Sequence, residues 1–98
     1  MTSEAPARLD AAATLGVVQR AVGVVLAVDP QTLDASTSLA SLGADSLALV
    51  GIADLVERGI AADAVHTVHI DDAALARSNT LGDLVDVVVD AAVDGVPA

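Results

Sequence analysis

The chain contains no Phe, Trp or Tyr, although hydrophobic residues make up 54% of it. Whatever core it builds must come from Ala, Val, Leu and Ile. Ala-rich, Leu-rich segments without strand-favouring aromatics lean towards helix. The 98 residues are one domain's worth. A domain this small buries only a modest share of its surface, so the core must be simple.

The charge narrows the partners. The net charge is -10, with 14 acidic residues against four Arg and no Lys. Nucleic-acid binding needs clusters of Lys and Arg to neutralise phosphates, so nucleic acid is excluded as a partner. The same balance argues against an anionic membrane surface. A strongly acidic small protein docks on basic partner surfaces. Cysteine is absent, which removes disulfides, thiolate nucleophiles and cysteine metal sites. Residues Met1 to Asp10 carry Glu4 and Asp10 and no apolar signal core. The longest apolar stretch, Ala21 to Val28, is far too short to span a bilayer. These features predict a cytoplasmic monomer.

Hydrophobic periodicity divides the chain into helices. Residues 1–8 read as a flexible tail, 9–92 as the domain and 93–98 as a second tail. A first helix is expected from about Leu9 to Val28, with Leu15, Val18, Val22 and Val25 at helical spacing. The pair Asp29-Pro30 should stop it. Residues 29–45 form a long loop anchored by Leu33, Leu39 and Leu42. A second helix starts at Asp45 or Ser46 and is expected to end by Arg58, with Gly59 as its stop. Residues 60–70 are ambiguous between an extended segment and a helical turn. A short helix covers about Asp71 to Arg77. The last runs from Thr80 to about Ala92, and Thr80 and Asp83 have the spacing of a capping box. The fold class is all-α: a small bundle of three longer helices and one short one.

The informative segment is Leu42-Gly43-Ala44-Asp45-Ser46-Leu47. Gly43 allows a sharp turn that a β-carbon would resist. Asp45 caps the helix and places negative charge near its positive end. Ser46 then stands at the first helical position, where its hydroxyl is exposed. Helix N-termini also favour a bound phosphate through free N–H groups and the dipole. On a wheel of about 100° per residue, Ala48, Leu49, Ile52, Ala53, Leu55 and Val56 form the apolar face. Leu47 and Val50 fall on the other side, with Ser46, Asp54, Glu57 and Arg58.

The segment resembles the attachment motif of acyl carrier proteins, in which Gly, a variable residue, Asp, Ser and Leu open a helix. The resemblance reaches back to Asp29-Pro30 and forward to Gly82-Asp83-Leu84. It implies a non-enzymatic carrier with 4'-phosphopantetheine, taken from coenzyme A, attached covalently to Ser46. It implies a phosphopantetheinyl transferase as one partner. Acyl-loading, condensing or modifying enzymes with basic docking patches are the others. By the same resemblance Leu47 and Val50 contribute to partner docking, with charge from Asp45, Asp54 and Glu57. Fatty acid, polyketide and related pathways use such carriers. The chain departs from the family pattern in having Ala48 and Gly51 where acidic residues often follow the Ser-Leu pair. Its connection from Gly59 to Ile70 is also longer than in compact members.

Other readings stand beside this one. Ser46 alone would pass for an ordinary helix-start residue. An aminoacyl or peptidyl carrier shares the spacing of Leu47, Ile52 and Val56 after the serine. An unmodified helical interaction module is the alternative from another class. His66 and His69 read as solvated loop residues, not as metal ligands. Intrinsic catalysis is not expected. No Gly-x-Ser-x-Gly elbow is present, since Ala48 follows two residues after Ser46, and no Gly-rich phosphate loop occurs.

Overall fold

The computed structural model describes residues 10–63 and 68–94. Within them lie four helices: α1 (Ala11–Leu26), α2 (Ser46–Asp63), α3 (Asp72–Ala76) and α4 (Leu81–Asp94). The all-α bundle of three long helices and one short one is as expected. Helix α1 is its centre and packs against both α2 and α4, while α3 touches α2 and α4. Val17 lies beside Gly59 and Val25 beside Gly51, so α1 and α2 run antiparallel.

Local chemistry sets the ends of α1. The Asp10 side chain accepts the Ala12 N–H, and the Thr14 hydroxyl donates to the Asp10 carbonyl at 2.8 Å. Thr14, Val17, Val18, Ala21 and Val22 form the buried stripe. The helix closes at Ala27, which adopts a left-handed conformation (φ 58°) and donates its N–H to the Gly23 carbonyl. Pro30 therefore does not end α1 directly. It opens a 3-10 turn, Pro30–Thr32, capped by Asp29.

Helix α2 corrects one expectation. Gly59 is not its stop, because the helix continues to Asp63. A β-carbon on Gly59 would lie 2.9 Å from Val17 Cγ1. The glycine lets two helices approach, and the next residue, Ile60, is buried in the core. Residues 60–63 are thus helical, while Val68 and Ile70 are buried outside any helix. Val65, His66 and Thr67 lie outside the described residues, as do residues 1–9 and 95–98.

The long loop is stitched down along its length. Leu33 and Leu39 are buried and Leu42 half-buried. The Gln19 side-chain amide donates to the Leu33 carbonyl at 2.7 Å. Ser38 forms an isolated bridge with Thr80. Leu81 and Gly82 donate their N–H groups to the carbonyls of Thr37 and Ala35. The expected capping box is formed: Asp83 N–H donates to Thr80 Oγ1, and the Asp83 carboxylate accepts the N–H groups of Thr80 and Asn79. Those N–H groups hold the Asp83 carboxyl below its ordinary pKa, Asn79 contributing most.

The core is wholly aliphatic. Ile52, Leu81, Leu84, Val18, Val22, Val56 and Val88 are its largest fully buried side chains. Each contributes on the order of 1.5–3 kcal/mol by leaving water. No described helix is long and apolar enough to cross a membrane.

Candidate functional site

The loop delivers the chain to α2 through a tight sequence of turns. Ala40–Leu42 form one 3-10 turn, and Gly43 follows at φ 85°. A β-carbon at Gly43 would meet nothing within 4 Å. The need for glycine is therefore conformational and not steric: only the left-handed backbone demands it. Gly43 donates its N–H to Ala40, and Ala44 donates to the Leu39 carbonyl at 3.1 Å. Asp45 then caps α2, its carboxylate accepting the Ala48 N–H at 2.8 Å. Its carbonyl accepts the N–H of Leu49.

Ser46 is the first residue of α2 and is exposed. With Asp45 serving Ala48, the N–H groups of Ser46 and Leu47 have no partner among the described residues. The start of α4 is different. Thr37, Ala35 and Thr80 take the N–H groups of Leu81, Gly82 and Asp83. The chain's own loop closes the N-terminus of α4, whereas α2, like α1 and α3, keeps two of its first N–H groups without a partner among the described residues; at α2 they stand beside an exposed hydroxyl.

The remaining predicted residues fall along α2. Leu47 is 80% exposed and Val50 55%, which places both outside the core. Asp54 is exposed and pairs with Arg58 at 3.1 Å. A solvated pair of this kind contributes about 0–1 kcal/mol. Glu57 points elsewhere. It is half-buried, and its carboxylate accepts the Ile70 N–H at 2.8 Å. His69, on the surface, lies 3.9 Å from the same carboxylate. Ser46 thus shares its end of α2 with Asp45, Leu47 and Val50. Asp54 stands further along, and Glu57 is turned towards the α2–α3 connection.

Sequence reasoning missed the other wall. Ser46, Leu49 and Val50 of α2 face Asp72, Leu75 and Ala76 of α3 across an open groove of about 270 Å³. Leu75, one of the residues that line it, is buried. Asp71, the N-cap of α3, and Asp72 signalled only a helix start, and nothing local announced that this helix would lie beside Ser46.

A family model described as phosphopantetheine attachment site matches residues 16–88, from the first turns of α1 to the middle of α4. A search of curated proteins found no match. Members of the matched family are carrier domains, not catalysts, and hold 4'-phosphopantetheine covalently. On this match, spanning most of the bundle and the open start of α2 within it, the chain belongs to the phosphopantetheine-attachment family of carrier domains.

Proposed function

We propose that Ser46 is the attachment residue and that the protein carries acyl groups of fatty acid, polyketide or related biosynthesis. The observation that carries this reading is the open N-terminus of α2. An exposed hydroxyl, that of Ser46, stands there, and the N–H groups of Ser46 and Leu47 have no partner among the described residues. A phosphodiester on Ser46 fits this place. Free N–H groups and the helix dipole stabilise its negative charge. Asp45 is near but is engaged with the Ala48 N–H. The bound arm supplies a thiol that holds cargo as a thioester, a group this Cys-free chain lacks.

The protein's own residues bind and orient. Asp45 and Gly43 fix the start of α2, so that Ser46 projects into solvent where a transferase reaches it. Leu47 and Val50 form an apolar docking centre, with Asp54 on its rim. Glu57 adds charge from a half-buried position. Against partners with basic patches, such acidic groups mainly raise the encounter rate and the specificity.

Intact mass after incubation with coenzyme A and a broad phosphopantetheinyl transferase tests this reading. The expected result is a gain of one phosphopantetheine unit in the wild type and none in Ser46→Ala. A folded wild type that gains nothing with several transferases refutes it. Loading with acyl and with aminoacyl donors then distinguishes the two carrier classes.

A further inference from the structure

Single apolar side chains on a protein surface are ordinary. Here three of them adjoin. Val24, Leu47 and Val50 are the large hydrophobic residues exposed among the described residues, Val24 at 72%. Leu47 and Val50 are neighbours on one side of α2, and Gly51 follows one turn after Leu47. The Val25 side chain of α1 lies 3.6 Å from where a β-carbon on Gly51 would stand. Val24 falls on the same stripe of α1 as Val17, about two turns on, and Val17 is the residue that meets Gly59 of α2. Val24 therefore edges the seam between α1 and α2 at the level of Gly51. Arg20, one turn earlier, leaves it uncovered, because its guanidinium lies back beside Gly16. Apolar surface thus runs from Val50 and Leu47 across a glycine to a second helix.

Resting on the attachment and docking reading above, we infer that the phosphopantetheinyl transferase docks across both helices, with Val24 of α1 inside its footprint. The transferase must cover the ground around Ser46. A stable interface takes on the order of 20–30 residues a side, more than the exposed start of α2 supplies. At about 1.5 Å per residue, Gly51 is only about 8 Å along the helix axis from Ser46. The Val24 edge falls within that reach. Charge decides what the transferase presents there. Helix α1 contains no acidic residue, and its one charged side chain is Arg20. Across the seam Asp54 is paired with Arg58. The seam thus offers a basic patch no unpaired carboxylate, although the chain as a whole is strongly acidic. The transferase meets Leu47, Gly51 and Val24 with apolar side chains. Its basic groups serve Asp45 and Asp72, which stand beside Ser46 on the other flank.

The test follows transfer by a broad phosphopantetheinyl transferase to wild type and to Val24→Ala, read by intact mass. Val24→Ala should raise KM for the carrier about three- to five-fold and leave kcat unchanged, as lost docking does. Because the contact is apolar, the same fold-loss should persist at high salt, where transfer as a whole slows. The melting curve of Val24→Ala should match that of wild type. A second arm needs no variant to fold. Transferase added without coenzyme A to the wild-type carrier should shift the methyl NMR signals of Val24 and Leu47. Those of Leu15, at the other end of α1, should stay in place. Unchanged KM in Val24→Ala, or a loss that disappears with salt, overturns the inference. So do Val24 signals that the transferase does not move. Val24 signals that move on concentrating the carrier alone also overturn it, and assign the patch to a second copy of this chain. Failure of the attachment reading looks different. The wild type then gains no arm, or Ser46→Ala gains it equally, and the mass spectrum shows this before any KM is compared.

Discussion

The Glu57 carboxylate accepts the Ile70 N–H at 2.8 Å and so fastens the α2–α3 connection to α2. Ile70 is 3% exposed, so its N–H lies away from water. Removing the acceptor leaves that donor unsatisfied. Glu57→Ala is expected to lower stability by about 1–3 kcal/mol in urea unfolding. Glu57→Gln keeps an acceptor oxygen and should lose less. Ile70 immediately precedes the Asp71 cap of α3. Loosening it should therefore also disturb the α3 wall of the Ser46 groove, visible as NMR shifts at Leu75.

The end of α1 yields a paired prediction of opposite sign. A β-carbon on Gly23 would lie 2.8 Å from Pro30 Cγ and 2.9 Å from the Val28 carbonyl oxygen. The carbonyl belongs to the backbone and cannot swing aside. Gly23→Ala should therefore cost about 1–3 kcal/mol through overpacking, more than the roughly 1 kcal/mol of helix propensity it gains. Ala27, in contrast, occupies a left-handed position that glycine fills without strain. Ala27→Gly should stabilise by up to about 1 kcal/mol. In a domain of this size that is a rise in Tm of about 4–8 °C.

The capping box makes stability depend on acid. The N–H groups of Asn79 and Thr80 hold Asp83 below its ordinary pKa, and the Ser36 hydroxyl and N–H do the same for Asp34. A carboxyl whose folded pKa is depressed contributes stability that is present above the unfolded value, about 3.9. That contribution is lost as pH falls through the lower folded value. Urea midpoints should drop as pH falls below about 4. In Asp83→Asn the drop should be shallower, and the loss at neutral pH should be the larger change.

What could be read along the chain was what the chain decides locally. The Gly43 turn, the Asp45 cap and the Thr80–Asp83 box each involve residues within a few positions of one another. Their side chains and backbone groups meet whatever the rest of the fold does. Gly59 was misjudged as a helix stop because its reason lies in Val17, on another helix. Glu57 carried the same difficulty: its partner Ile70 lies across a connection whose path no local pattern fixed. The groove was illegible for a third reason. Asp72 and Ser46 are brought together by the packing of α3 on α2, and a five-residue helix carries too little periodicity to announce which face it presents. The turn, the cap and the helix start at Ser46 were thus visible and their surroundings were not.

Two apolar residues of α2, about 1.4 turns apart and on different faces, should separate docking from folding. Leu47 is 80% exposed, and Ile52 is fully buried. Ile52→Ala opens a cavity in the core and should cost about 2–5 kcal/mol. Leu47→Ala removes a side chain that the fold does not use, so its melting curve should stay within about 0.5 kcal/mol of wild type. Its effect should appear instead in modification. If Leu47 anchors the transferase, kcat/KM for phosphopantetheine transfer should fall by about tenfold, the size of a moderate interface anchor. Val50→Ala, at a less exposed position, should show a smaller loss in the same assay. Unchanged transfer kinetics in Leu47→Ala would remove this residue from the transferase docking surface. A tenfold loss with an unchanged melt would assign Leu47 to the transferase docking surface, because the fold of the variant would be intact.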